Sequence, residues 1–397
     1  MGLYPAGAVE RAMKVQEVIL RAMSGQVLWT QAAEILGMSD RSMRRWRERL
    51  EKHGYEGLLD RRRQRPSPKR VPLATVEHVL HLYRDRYFDF NVRHFHEKLV
   101  SEHGISLSYS WVKAALQGAG LVARRKRRGK HRRRRERRPL SGMLLHIDGS
   151  THAWLGPELG RQDLITVLDD ATSEVYYAQL SEQESTASVM AALKAVVQER
   201  GVFCSLYSDR ASHFVYTETA GRGPQRRIRT QVGRALEQLG VELIPANSPQ
   251  ARGRCERLYG TFQGRLPQEL RLRAIDSIPE ANRFLREIYV PEHNSKFSVA
   301  PAQDGTAFVP CAGADLEKIF SHQEERVVGN DNTVAFGKLR LQIAPQTFRF
   351  SLARCRVLVC RHLDGTLTVH YGPHRLGRYE AKGTLLTTQK TRKEKVA

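Results

Sequence analysis

The chain is 397 residues long and carries 65 Lys and Arg against 42 Asp and Glu, a formal net charge of +23. That length predicts two or three domains with material for a real core. The charge surplus favours a polyanionic partner, with nucleic acid ahead of an acidic membrane surface. No apolar run reaches the length of a bilayer span, the opening Met1–Pro5 lacks a signal-peptide pattern, and Gly2 is not followed by the Ser or Thr of a myristoylation signal. Five scattered cysteines, without a Cys-x-x-Cys pair, do not read as a zinc site or a disulfide framework and suit a reducing cytoplasm.

Residues 1–60 read as an all-α helix-turn-helix domain. Apolar positions at helical spacing run from about Val9 to Met23, where Ser24-Gly25 breaks them. A short helix over Thr30–Leu36 is followed by Gly37-Met38-Ser39 and a third helix from Asp40 to about His53, with Ser39 as its N-cap. Small Ala33 lets two helices approach, Gly37 permits the sharp turn, and Met43, Trp46 and Leu50 point inward. Arg41, Arg44, Arg45 and Arg49 then fall on the outward face, where they suit phosphates and guanine edges better than they suit a merely solvated bundle.

A basic, proline-bearing linker over 61–72 leads to a second helix-turn-helix-like block, 73–122. Val76, Val79, Leu80 and Tyr83 mark one helix, Val92, Phe95 and Leu99 another. Gly104 is a turn, and Ser108 caps a helix carrying Val112 and Leu116. Residues 123–139 form a basic linker. The run Arg124–Arg138 holds 12 Lys or Arg, Arg124, Arg125, Lys126, Arg127 and Arg128 among them, against the single Glu136. Such density self-repels, so the run is expected to be disordered without DNA and to bind phosphates without reading sequence.

From 140 to 295 the texture becomes α/β. Strands are predicted over Met143–Ile147, Leu164–Leu168, Val175–Leu180, Val202–Tyr207 and Val241–Ile244. Helices are predicted over Ser185–Glu199, Gln225–Leu239, from Ser248 onward, and over Pro279–Tyr289. The order β-β-β-α-β-α-β-α is that of a ribonuclease-H-like core. A connector over 296–331 leads to a β-rich module at 332–380, a small barrel or sheet, in which Asp364-Gly365 is a hairpin turn. A loose basic tail covers 381–397.

Three carboxylates stand out. Asp148 and Asp209 each end an apolar run, and Glu256 follows Asn247-Ser248-Pro249-Gln250-Ala251-Arg252-Gly253-Arg254-Cys255 on a helix capped by Ser248 with Pro249 in its first turn. Cys255, Leu258, Phe262 and Leu266 define that helix's buried stripe, so Arg252, Glu256, Tyr259 and Gln263 line its flank. Two acids at strand ends and one about two turns into a helix can converge on a pair of Mg²⁺ ions, since hard cations take oxygen ligands. Singly, each acid is more simply a turn residue or a solvated charge. Asp169-Asp170 is a competing pair for the place of Asp148, and His146, His213 and His293 are candidate helpers, although such histidines are more often structural.

The set Asp148-Gly149-Ser150, Ser208-Asp209-Arg210 and Asn247 to Arg257 resembles insertion-sequence transposases of the retroviral-integrase (DDE) superfamily, closest to the ISNCY-type bacterial group. The likeness extends to the N-terminal helix-turn-helix units and to a C-terminal β module similar to that of Mu-type transposases. It implies that Asp148, Asp209 and Glu256 bind two Mg²⁺ ions, for which Mn²⁺ can substitute, and that Arg252 lies along the DNA. It also implies double-stranded transposon ends and target DNA as partners, a homo-oligomer on DNA, and cleavage followed by attack of the freed 3′-OH. No covalent protein–DNA intermediate is then required. The 46 residues between Asp209 and Glu256 exceed the retroviral spacing and leave the helix at Gln225–Leu239 without a motif. The alternatives are a non-catalytic DNA-binding protein on a transposase-like scaffold, and a ribonuclease-H-type nuclease that cuts without joining.

Overall fold

A computed structural model of the chain describes residues 4–59, 70–124, 136–215, 229–246 and 253–386. Most of the 61–72 linker, Arg125, Lys126, Arg127, Arg128, Ser248, Pro249, Arg252 and the end of the tail lie outside the described residues. The chain divides into two compact units, Met1–Val79 and Leu80–Ala397. No helix among the described residues is long and apolar enough to cross a membrane.

In the first unit, α1 (Ala6–Met23), α2 (Trp29–Ile35) and α3 (Asp40–His53) enclose a core of Val15, Ile19, Ala32, Ala33 and Met43. Gly37 takes φ +63°, the left-handed turn conformation that glycine adopts without a steric penalty. Ser39 Oγ then accepts the amide of Ser42 at 3.3 Å, satisfying one of the orphan donors that open α3.

The second unit begins within α4 (Leu73–Asp85) and continues through α5 (Val92–Ser101) and α6 (Tyr109–Gly118). Asn91 and Ser108 cap α5 and α6 by accepting the amides of His94 and Trp111. Next come β1 (Leu145–His152), β2 (Gln162–Asp169), β3 (Val175–Ser181), α7 (Thr186–Arg200), β4 (Ser205–Ser208), α8 (Gln231–Gln238), β5 (Glu242–Pro245) and α9 (Gly253–Gln263). The sheet has the order β3-β2-β1-β4-β5, with β1–β2 and β2–β3 antiparallel and β1–β4 and β4–β5 parallel.

The two-residue side-chain period of a strand sorts β1 and β2 between two cores. Leu145, Ile147, Ile165 and Val167 pack with α7 and α8 on one face. Leu164 and Leu168 pack with Cys255, Leu258 and Phe262 of α9 on the other.

Several elements differ from the sequence expectation. β1 runs on through Gly149–His152, a polar stretch held by pairing with Gln162–Ile165, so Asp148 is mid-strand rather than terminal. The helix predicted to end at Tyr289 passes through a π-helical turn, Leu285–Tyr289, into a further helix over Val290–Phe297. The wider turn gives the Pro291 ring room where a regular helix would clash with the carbonyl four residues back. The stretch 296–331 is not a free connector: Val309 exchanges backbone hydrogen bonds with Val202, and Phe308 and Phe320 pack into the α7-side core. Finally, Glu136–Arg138, within the run expected to be disordered, is fixed. Arg137 Nη1 donates to the Ala171 carbonyl at 2.9 Å, and the Arg138 amide donates to Asp170 Oδ2 at 2.8 Å.

The C-terminal strands are β6 (His322–Val327), β7 (Thr333–Phe336), β8 (Leu339–Gln342), β9 (Arg356–Arg361), β10 (Leu367–Tyr371) and β11 (His374–Tyr379). They form a four-stranded antiparallel sheet, β11-β10-β9-β6, and a β7–β8 hairpin over one shared core. β6 starts ten residues ahead of the predicted module. Its sequence, His-Gln-Glu-Glu-Arg-Val, has too few apolar residues to announce a strand, yet it pairs with β9 along its whole length.

The second helical block is docked on the helix that follows α9, namely α10 (Leu266–Leu272). Asn91 donates to the Gly264 carbonyl at 2.8 Å, Arg265 forks onto Glu97 at 2.8 and 2.9 Å, and Arg271 pairs with Asp89. Buried Glu269 takes His94 Nε2 at 2.6 Å and Lys98 Nζ at 2.8 Å. Burial alone would raise the Glu269 pKa, but the hydrogen bonds from His94 and Lys98 outweigh it and hold the carboxyl at about 2.

Candidate active site

The sheet reverses its strand order beside β1, with β2 and β3 on one side and β4 and β5 on the other. Crevices at the carboxyl ends of strands that flank such a reversal are where open α/β sheets bind ligands. Leu145 pairs with Leu206 and His146 with Tyr207; the same offset sets Asp148 level with Asp209, which directly follows β4. In-register residues of neighbouring strands face the same way, so that offset, carried two residues past the last pair, directs both side chains to one face of the sheet. Asp148 is buried and Asp209 half-buried. Asp209 Oδ1 accepts the Ala211 amide at 2.9 Å, which fixes the turn after β4.

α9 runs alongside β1 on the face that carries Asp148. At its start Arg254 Nε donates to Asp170 Oδ1 at 2.7 Å, the same oxygen that meets His146 Nε2 at 2.8 Å. Midway, Tyr259 Oη donates to the Asp148 carbonyl and lies 2.9 Å from Thr166 Oγ1. At its end Gln263 Nε2 donates to Ser150 Oγ at 3.1 Å. Glu256 shares a helix flank with Gln263, two turns ahead of it, and is exposed. Asp148 and Asp209 thus continue two paired strands on the side of the sheet along which α9, with Glu256, runs. The three do not form a closed ligand set, for no three His, Cys, Asp or Glu side chains among the described residues stand close enough to hold one metal ion. The segment that leads into α9, with Ser248, Pro249 and Arg252, is outside the described residues.

Asp169 and Asp170 do not stand in for Asp148. Asp169 pairs with Leu145, at the start of β1. Its carboxylate is spent on the amides of Gly142 and Thr172 and on Thr172 Oγ1. Burial would raise the Asp170 pKa, but hydrogen bonds from His146 and the Arg138 amide, with the Arg254 charge, hold it well below the usual carboxylate range. His146 is thereby committed to Asp170. His293 is a packing residue against Phe262 and Tyr289; burial, with Arg265 and Lys296 nearby, pushes its pKa down to about 4.

His213, the third candidate helper, meets Glu184. Its Nε2 is 2.9 Å from Glu184 Oε1 but off the line of a well-formed hydrogen bond. Glu184 in turn lies against Gly149, where any Cβ would collide with its carboxylate, and its amide donates to Asp163 Oδ2 at 2.7 Å. Glu184 is not singled out by the sequence, and by the strand alternation it stands on the face of β1 opposite Asp148. The available signal was the glycine directly after Asp148, which leaves space for a side chain from elsewhere in the chain.

On α3, Arg41, Arg44, Arg45 and Arg49 are all exposed, and the Arg49 guanidinium stacks 5.3 Å from the Trp46 ring centroid. Arg124 is exposed at the edge of the described residues.

Residues 16–67 match the helix-turn-helix domain family and residues 42–116 the homeodomain-like domain family. The transposase-named y4bF of Sinorhizobium fredii is 31% identical over 369 residues, covering 92% of this chain and 80% of its own length. The transposase for insertion sequence IS1202 of Streptococcus pneumoniae is 26% identical over 386 residues, covering 88% of this chain and 82% of its own. Among solved structures, the HTLV-2 integrase catalytic core domain in complex with magnesium matches 38% of this chain and 89% of that one, at 13% identity and a TM-score of 0.27, too low to bear on the fold by itself. With 31% identity over 92% of the chain and 80% of y4bF, the chain belongs to the insertion-sequence transposases.

Proposed function

We propose that the chain is a DDE-type transposase, nearest the ISNCY-type group, that binds transposon ends as a homo-oligomer, cleaves phosphodiesters and joins the freed 3′-OH to target DNA in the cytoplasm. What supports this is the parallel register of β1 and β4, which, continued two residues past its last pair, matches Asp148 with Asp209 on the face along which α9 and Glu256 run. The donor set fits the expected metal, because all three side chains offer only carboxylate oxygen, which suits Mg²⁺ or Mn²⁺ and not a soft ion. A pair of such ions, when bound, supplies Lewis-acid stabilisation of the attacking and leaving oxygens. Asp148 and Asp209 then hold fixed positions on the sheet. Glu256 completes the set from the exposed flank of α9, which Tyr259 and Gln263 tie to β1. The Arg124–Arg138 run lies between the helical blocks and the sheet in sequence, where its charge contributes salt-dependent affinity for any duplex.

The test uses the purified chain and linear DNA bearing both flanks of its gene, with Mg²⁺. Strand breaks with 3′-OH ends, followed by joined products, are expected. Specific binding without breaks in either Mg²⁺ or Mn²⁺ would favour the scaffold reading, and breaks never followed by joining the nuclease reading.

Recognition is assigned to α3. Arg44→Ala or Arg45→Ala should weaken binding to the specific ends by about 1–3 kcal/mol for each bidentate arginine–base pairing removed. Titrations against a scrambled duplex provide the control. An equal weakening there would reduce these residues to phosphate binders.

A further inference from the structure

The C-terminal module carries an aromatic surface that its own core does not use. That core is filled by Val334, Leu341, Val357, Val359 and Leu367. Outside it, Phe348 is 43% exposed and Phe350 wholly exposed, on either side of Arg349 in the loop between β8 and β9. Phe348 stacks on His374, with ring centroids 4.3 Å apart and planes at 19°, and lies nearly parallel to Tyr371 at 6.5 Å. Arg349 sits over the Tyr371 ring at 5.6 Å and donates to its hydroxyl at 3.0 Å.

The loop is not merely slack. On one side of the aromatics Gln346 Nε2 donates to the Leu376 carbonyl at 3.1 Å. On the other the Leu352 amide donates to Asn332 Oδ1 at 2.9 Å while its side chain is buried in the core. Both ends are pinned, so the rings are held outward.

The two segments that carry them hold charge of one sign. Residues 344–356 contain three arginines and no carboxylate, and residues 371–375, the tip of the β10–β11 hairpin, contain Arg375 and no carboxylate. Flat exposed rings between arginines match a ligand with π-faces on an anionic backbone. In a duplex those faces are taken by the neighbouring base pairs. Only unpaired nucleotides offer them.

We propose that Phe348 and Phe350, with Arg349 and the hairpin tip, form a stacking platform for single-stranded DNA, such as the unpaired stretches that strand cleavage and joining leave behind. The transposase reading supplies only the origin of that single strand. The binding test needs no cleavage, so either idea can fail alone.

The test measures binding of the full chain to fluorescent oligothymidylate and to a duplex of equal length, each with and without Phe350→Ala and the double variant Phe348→Ala/Phe350→Ala. Because Phe350 is wholly solvent-exposed, its truncation should leave the melting curve unchanged. Phe350→Ala is expected to weaken single-strand binding about tenfold, as loss of one stacked base does, and the double variant more. Duplex affinity should hold, and Phe350→Trp should restore the single-strand value. Unchanged single-strand binding in the double variant, or an equal loss on duplex, overturns the proposal. So does a shift in oligomeric state on size exclusion without any change in DNA affinity, which would make the surface an interface between copies of the chain.

Discussion

Asp148→Asn, Asp209→Asn and Glu256→Gln are each expected to abolish metal-dependent DNA cleavage and strand transfer while the ends are bound as tightly as before. Binding survives because the arginines assigned to recognition are on α3, far along the chain from these acids. Stability should survive too, for reasons that differ by position. Glu256 is exposed, and a surface substitution of this kind moves folding by roughly 0.5 kcal/mol or less. Asp209→Asn keeps the oxygen that accepts the Ala211 amide. Asp148→Asn keeps the size of the side chain and one of its acceptor oxygens. The same variants should lose the rise in melting temperature that Mg²⁺ or Mn²⁺ gives the wild type, since a ligand that binds only the folded state stabilises it in proportion to its affinity. Near-normal cleavage by any one variant removes that residue from the assignment. An intact metal-induced shift in all three would place the metal elsewhere.

The legible part of this architecture is local. The cap at Ser39 and the left-handed turn at Gly37 depend on a few neighbouring residues, and α3 starts where they put it. The buried stripe of α9 follows from helical spacing: Cys255, Leu258, Phe262 and Leu266 are all buried. Tyr259, placed by spacing on the polar flank, is buried as well, because its hydroxyl finds the Asp148 carbonyl and Thr166 across the sheet. What stayed hidden depends on distant partners. Gly149 gives no sign by itself that Glu184 lies against it, nor does Glu269 that it collects His94 and Lys98 from a helix some 170 positions earlier. β6 is polar because one of its faces is solvated, and only its pairing with β9 makes it a strand. The relation between Asp148 and Asp209 belongs to this second class. The apolar runs identify both strands, but only the parallel register between β1 and β4 aligns their acids.

Asp170→Asn is expected to destabilise the second unit by about 3–5 kcal/mol, the usual cost of removing one partner from a buried ion pair. Asp170 is fully buried and receives Arg254 Nε at 2.7 Å, His146 Nε2 at 2.8 Å and the Arg138 amide at 2.8 Å. The amide fills the same space but takes from the buried Arg254 guanidinium the carboxylate charge that its Nε meets. The pH dependence has a definite sign. The folded pKa of Asp170 lies below the unfolded value of about 3.9, so its contribution is fully present above that value and is lost as pH falls towards the folded pKa. In urea titrations the gap between wild type and variant should therefore stay constant from neutral pH down to about 5 and close in acid below about 4. Adding Arg254→Met to Asp170→Asn should recover part of the loss, as a double-mutant cycle through two directly bonded side chains does. Because Arg254 holds the start of α9 two residues from Glu256, the single variant should also cleave more slowly, whereas Glu256→Gln loses cleavage with no change in stability. A gap that persists unchanged in acid, or no recovery in the double variant, would show that Asp170 does not hold α9 in place through Arg254.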